Sequence, residues 1–375
     1  MIDPATISLV IVAVCFGPYG WINATPSSAI VDSLNQVSLD FFKVALKNEP
    51  DNFVFLPLGI SQLLAMTAFG AGGETRSELQ KFLHMENLTD NLNNYTSDFM
   101  TKLDSVLNLQ SMIFINQNIK LKSNFKNSNV NQINFENSRD ATSIIKWFIY
   151  QKTKRDMDLF KPDDIKKNDS IFLINVNHFE AEWQNRFRPE YTSSKLFYLN
   201  NTSKIHVPTM KLWDWFLIVK NKDLDARIIQ LFYRINDDYE QVSMFIIIPN
   251  KIEGLKHIED NIDKINFTTL IDPGYDNQLT EIQLLLPKFK LDTKIDYKKH
   301  LEKMGVNDAF TTNANFSGIS QDKNLIIDKI IQKTTIEVDE NGSGYGSHSV
   351  KVNRPFLVVI TTRNFIVFTG RVSKP

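Results

Sequence analysis

Residues 336–355, IEVDENGSGYGSHSVKVNRP, hold two strand-like runs separated by a tract with almost nothing to bury. Ile336, Glu337, Val338 and Asp339 alternate apolar and charged side chains, the period of a half-buried strand. Val350, Lys351 and Val352 resume that alternation before Arg354-Pro355-Phe356. Between the two runs Gly342, Gly344 and Gly346 are interleaved with Ser343, Tyr345 and Ser347. Such a tract has backbone freedom to lose and little apolar area to offset the loss, so it predicts an exposed loop between two strands.

Outward from this loop the second half of the chain reads as strand. Strands are predicted at 204–210, 214–219, 226–232, 242–248, 281–291 and 325–338, with one helix at 297–304. Strands at 356–362 and 365–372 form a hairpin around Thr362-Arg363-Asn364. The first half is mainly helical. Residues 30–46 place Leu34, Val37, Phe41, Val44 and Ala45 near one face. A short strand begins at Asn52, and Pro57 opens a helix that runs to Phe69 and stops at Gly70-Ala71-Gly72-Gly73. That helix is apolar on nearly every side, the signature of a core helix. Helices follow at 74–83, 87–109 and 141–157, the last with Ile144, Ile145, Phe148 and Ile149 inward. Strands are read at 111–115 and 171–179, and IFLINVNHF at 171–179 suggests burial on both faces. No repeat, linker or charge block divides the chain, so the expected class is α+β in one domain.

Composition excludes several function classes. Hydrophobic residues make up 42% and charged residues 23% of 375, ordinary globular values. With 42 basic and 43 acidic residues the net charge is −1, which gives no reason to expect a nucleic-acid or anionic-membrane partner. Residues 7–16, ISLVIVAVCF, are too short to span a bilayer and suit a secretory signal, though the preceding residues carry Asp3 and no Lys or Arg. The expectation is a signal peptide over 1–22 and a single domain over 23–375, acting outside the cell as a monomer. The only cysteine, Cys15, would leave with the signal, removing disulfides, thiol catalysis and cysteine-held metal. Candidate glycosylation sites are Asn23, Asn87, Asn94, Asn168, Asn200, Asn201, Asn266, Asn315 and Asn341.

No catalytic pattern emerges, and no cofactor or metal is expected. His84, His178, His206, His257, His300 and His348 are scattered, without a metal-binding spacing. The glycines at 342–346 lack the following helix that a phosphate loop or nucleophile elbow requires. Lys120, Lys122 and Lys126, with Lys152, Lys154, Arg155, Lys166 and Lys167, could face a sulfated polysaccharide. A solvated surface fits the neutral total charge better.

A set of separate motifs then carries a family resemblance over nearly the whole chain. They include Phe69-Gly70-Ala71-Gly72-Gly73-Glu74-Thr75, Asn175 with Phe179 and Trp183, Val207-Pro208-Thr209-Met210, and Pro287-Lys288-Phe289. Phe316-Ser317-Gly318-Ile319-Ser320, residues 333–342 and Phe368-Thr369-Gly370-Arg371-Val372 complete them. In order and spacing the chain resembles a serpin. The resemblance implies three β-sheets surrounded by eight or nine helices. Residues 61–69 would be the helix behind the main sheet, and 325–338 the sheet's central strand. The loop after Glu340 would be the reactive centre loop. In inhibitory members a serine protease cleaves this loop, whose first part inserts into the main sheet and carries the acylated protease with it.

Measured against that mechanism the chain departs at three places. Glu340 and Gly342 match the hinge, and Ser343 is small. Beyond them stand Gly344, Tyr345, Gly346, Ser347 and His348 where the family has an alanine-rich run. The loop has only the ten positions Glu340, Asn341, Gly342, Ser343, Gly344, Tyr345, Gly346, Ser347, His348 and Ser349. Fully extended, these reach about 33–36 Å. Thirdly, the polar cluster at which the family opens its sheet corresponds to Leu56, Gly59, Asn175 and Gln332, of which only the asparagine is retained. Arg155 also stands where the family has glycine. These departures favour a non-inhibitory serpin that binds a partner protein or a small apolar ligand. The alternative is a serine protease inhibitor working through the loop at 340–349.

Overall fold

In the computed structural model, the described residues are 28–86, 110–125, 129–234, 241–265, 279–322, 325–340, 349–362 and 365–375. The N-terminal apolar run, the expected helix at 87–109 and loop residues 341–348 fall outside them. Among the described residues the helices are α1 (Ser28–Asn48), α2 (Pro57–Phe69), α3 (Gly73–Phe82), α4 (Ser138–Thr153), α5 (Leu255–Asp260) and α6 (Lys298–Lys303). No described helix is long and apolar enough to cross a membrane.

The five-stranded sheet has the order β11-β12-β4-β2-β3. Its strands are β2 (Gln110–Asn116), β3 (Val130–Ile133), β4 (Ile171–Phe179), β11 (Phe289–Asp296) and β12 (Ile327–Val338). The middle strand is therefore β4; residues 325–338, expected there, supply its neighbour β12. Both faces of β4 are covered, and its alternation sorts side chains between two cores. Ile171, Leu173 and Phe179 join the main core with α2, whereas Phe172, Ile174 and Val176 face Ile145 and Ile149 of α4. A strand between two apolar layers has no solvent face to mark with polar residues.

The second sheet has ten strands: β1 (Phe53–Phe55), β5 (Glu182–Trp183), β6 (Ser193–Tyr198), β7 (Lys204–Asn221), β8 (Ala226–Arg234), β9 (Ser243–Pro249), β10 (Leu279–Pro287), β13 (Ser349–Lys351), β14 (Phe356–Thr361) and β15 (Ile366–Val372). The expected second and third sheets are joined here, because β7 is continuous over 18 residues. Its start pairs with β6, its middle with β10 and its end with β8. The two strands expected within 204–219 are therefore one.

Two other boundaries differ from expectation. The strand expected at 281–291 divides at Lys288, with β10 in one sheet and β11 in the other. The backbone N–H of Lys288 donates to the Pro208 carbonyl at 2.9 Å as the chain changes sheets. Helix α4 stops at Thr153 instead of Met157, where Lys154 takes a left-handed conformation, φ 55°. Met157, Leu159 and Phe160 then enter the α4-side core from extended chain. Helix α2 is buried as its composition requires, with Leu63 and Leu64 at 0% exposure, and it contacts α1, α3, β2, β4 and β15.

Candidate functional site: the sheet seam and the loop anchors

The strands β4 and β12 run parallel and pair directly, from Ile171↔Ile327 to Phe179↔Ile336. The serpin resemblance implies strand insertion into this sheet, and a buried polar network crosses the seam. Gln332 and Asn175 are register partners. Gln332 Nε2 donates to Asn175 Oδ1 at 2.7 Å and to the Leu56 carbonyl at 2.7 Å. Its Oε1 accepts from the Leu56 N–H at 2.8 Å and the Tyr297 hydroxyl at 3.1 Å. The side-chain amide thus meets Leu56 as a neighbouring strand's peptide group would, and its hydrogen-bonding capacity is filled. Burial holds the Tyr297 phenol well above its ordinary pKa, so it remains a donor.

Asn175 continues the network toward β2. Its Nδ2 donates to Ser111 Oγ at 2.9 Å, and its Oδ1 also accepts from the Asn177 amide. Gly59 belongs to the same site by having no side chain. A Cβ there would lie 2.5 Å from Asn175 Nδ2 and 2.6 Å from its Cγ. The structure thus brings all four sequence-identified positions together, but with unexpected parts: Leu56 acts through its backbone and Gly59 through its space. The altered residues do not leave a broken cluster; Gln332 bridges across. Tyr297, Ser111 and Asn177 were missed. The pair Asn175 and Asn177, on one face of an otherwise apolar buried strand, was the available signal, because buried amides require partners.

Where β12 leaves the seam, the chain is anchored three ways. Trp183 Nε1 donates to the Asp339 carbonyl at 3.0 Å, and its ring stacks on Tyr233 with centroids 4.3 Å apart. The Glu340 carboxylate takes Lys288 Nζ at 2.8 Å and the Thr192 hydroxyl at 2.8 Å. On the far side of the loop, β13 pairs parallel to β10, Ser349↔Gln283 to Lys351↔Leu285, and the Val352 N–H donates to the Leu285 carbonyl at 2.8 Å. Of the loop and hinge positions, only Glu340 and Ser349 lie within the described residues, and both sit at anchors.

Burial opposes the charge on Glu340, but Lys288 and Thr192 outweigh it and hold the carboxyl below its ordinary value. A depressed carboxyl stabilises the fold while ionised. Its contribution is complete above the ordinary value of 4.5 and is lost as the pH falls through the lowered one. Lys288 is more than a third exposed, so solvent screens the pair and its worth is about 1 kcal/mol or less. The E340Q variant is expected to be less stable by that amount at neutral pH. The difference should shrink as the pH falls below 4.5 and through the lowered value, as followed by urea midpoints across pH.

Arg155 bonds the Glu180 carboxylate, which also meets His178 Nε2 at 2.7 Å. His178 chiefly, with Arg155, keeps Glu180 below its ordinary value against the effect of burial. The second residue after α4 is thereby tied to the residue that follows β4. In the basic set, Lys167 approaches Glu136 at 3.8 Å, and Lys126 lies outside the described residues. Asn168, Asn200, Asn201 and Asn315 are exposed. Asn23, Asn87, Asn94, Asn266 and Asn341 lie outside the described residues.

Comparison with known proteins gives a consistent result. The family profile described as Serpin (serine protease inhibitor) matches residues 32–375. Human Serpin B13 is 26% identical over 396 residues, covering 92% of this chain and 100% of the relative. Serine protease inhibitor 42Dd of Drosophila melanogaster is 27% identical over 371 residues, covering 91% and 96%. Among solved structures, Serpin48 of the insect Tenebrio molitor superposes with a TM-score of 0.83 at 25% identity, covering 95% of this chain and 100% of that one. Uncleaved ovalbumin superposes with a TM-score of 0.84 at 22% identity, covering 92% and 100%, a likeness of fold. The ordered motifs, the β4–β12 seam and the profile match agree: this chain belongs to the serpin family.

Proposed function

We propose that this serpin is a secreted, non-inhibitory member whose scaffold serves binding, of a partner protein or of a small apolar ligand. The observation that carries the reading is the short connection between two anchored strand ends. A strand filling the seam beside Ile171–Phe179 needs nine residues, about 30 Å at 3.3 Å per residue. The loop at 340–349 offers ten, and at least two must form the turn that reverses the chain after β12. Insertion would consume the whole loop and leave no arm to carry a protease. Glycine at 342, 344 and 346 further weakens any inserted strand, by about 0.5–1 kcal/mol per site.

Secretion is supported by the apolar run at 7–16, by the confinement of cysteine to that run, and by the exposed sequon asparagines among the described residues. A single new N-terminus near residue 23 in protein collected from eukaryotic culture medium is the expected sign of it.

Incubation with a panel of serine proteases should give loop cleavage or no reaction, without a covalent adduct on denaturing electrophoresis. Cleavage within 341–348 should leave the melting temperature nearly unchanged, since no strand is added to the sheet. A detergent-stable complex, or a large rise in melting temperature after cleavage, would favour the inhibitory alternative instead.

A further inference from the structure

Away from the seam, a cavity of about 240 Å³ lies on the ten-stranded sheet between β6 and the chain leaving β13. Strand register places Lys195, Phe197, Val207, Leu285 and Lys351 of its lining on one face. Lys195 stands opposite Val207, Phe197 opposite Ile205, and Leu285 lies between Lys211 of β7 and Lys351 of β13. Val207 and the half-buried Leu285 give it an apolar floor, which the fully buried Phe197 backs from the core. The Tyr198 N–H donates to the Asn353 carbonyl at 2.8 Å, tying β6 to the segment after β13 and closing one wall.

Charge sets the chemistry of an occupant. Lys195 and Lys351 come from different strands, are exposed, and have no anionic partner among the described residues. No acid is found among the described residues that line the cavity. Lys211, in the same row, is engaged: its ammonium lies over the Tyr191 ring, 5.9 Å from its centroid, and with the Gln283 amide turned to satisfy its neighbours it also meets that amide's oxygen at 3.3 Å. An apolar floor beneath two cations that have no anionic partner among the described residues complements a molecule with one anionic head and an apolar body. The volume is below the about 300–1,000 Å³ of drug-sized sites, so the body must be short.

We propose that this cavity binds a small amphipathic carboxylate, its head between Lys195 and Lys351 and its body on Val207 and Leu285. The bound molecule bridges β6 and β13, and so steadies the strand that anchors the far end of the loop. The site supplies a location for the small-ligand branch of the reading above, and its geometry does not depend on the loop's length.

The test is calorimetric titration of octanoate into the intact protein, with octanamide as the neutral counterpart. Saturable binding at one site is expected, weakening as salt is added. K195Q and K351Q should each weaken octanoate about fivefold to tenfold, and the double variant about twentyfold or more, with octanamide equally weak for all. Both lysines are surface residues, so unchanged melting of the ligand-free variants is the accompanying control. Absence of saturable octanoate binding at low salt, or equal affinity across the variants, overturns the proposal. A covalent protease complex would overturn the non-inhibitory reading and leave this one standing. Loss of octanoate binding without such a complex does the reverse.

Discussion

Replacing Gln332 with alanine is expected to destabilise the protein by about 3–5 kcal/mol, among the largest single-residue effects the structure supports. Gln332 is 1% exposed and meets four groups: the Leu56 N–H and carbonyl, Asn175 Oδ1 and the Tyr297 hydroxyl. Truncation strands these polar groups in the buried interior, and each buried group left without a partner costs about 1–3 kcal/mol. It also leaves a cavity beside the start of α2, whose first residue has no side-chain cap of its own. The expected observation is a lowered urea midpoint with little change in slope, and faster unfolding. Since the network spans β4 and β12, amide exchange should quicken along Ile171–Phe179 before it does in β14 and β15. A midpoint within about 0.5 kcal/mol of the native protein would remove Gln332 from the role given to it.

The second large effect comes from adding a single methyl group. Gly59→Ala should cost about 2–4 kcal/mol, although alanine is ordinarily the better helix former by about 1 kcal/mol. The new Cβ would lie 2.5 Å from Asn175 Nδ2, inside any real contact distance, so the amide must move. Asn175 cannot yield cheaply, because it is fully buried and held by Gln332, Ser111 and Asn177. The geometry predicts coupling as well as cost. In G59A/N175A the obstructing amide is absent, so the double variant should be no less stable than N175A alone. Additive losses would show that the helix, and not the contact with Asn175, responds to the methyl group.

What could be read locally followed the strength of local patterns. The pattern of 171–179 bounds β4 correctly, and the all-round apolar helix after Pro57 lies in the core. The strand Ser193–Tyr198 escaped notice because its first four residues are exposed and carry no alternation. Helix α5 has six residues and buries only Ile258, so no apolar face marks it. The run at 281–291 reads as one strand because both its parts are strands; the change of sheet at Lys288 depends on which neighbours each part meets. The continuity of β7 through 211–213 has the same origin, since β10 pairs across that interval.

The candidate site divides along the same line. Leu56, Gly59, Asn175 and Gln332 are identifiable from the motifs around them, but their arrangement is not. Tyr297 is 35 residues from Gln332 and Ser111 is 64 from Asn175, so no local pattern joins them. By itself the sequence determined the family, the class, the order of most elements and the length of the loop, because these depend on periodicity, turn chemistry and counting. Tertiary structure alone decided that Gln332 bridges two strands and a helix start, that Gly59 makes room for Asn175, and that Glu340 is pinned between Lys288 and Thr192. Those facts belong to hydrogen bonds and excluded volume between distant segments, which exist only once the sheets have closed.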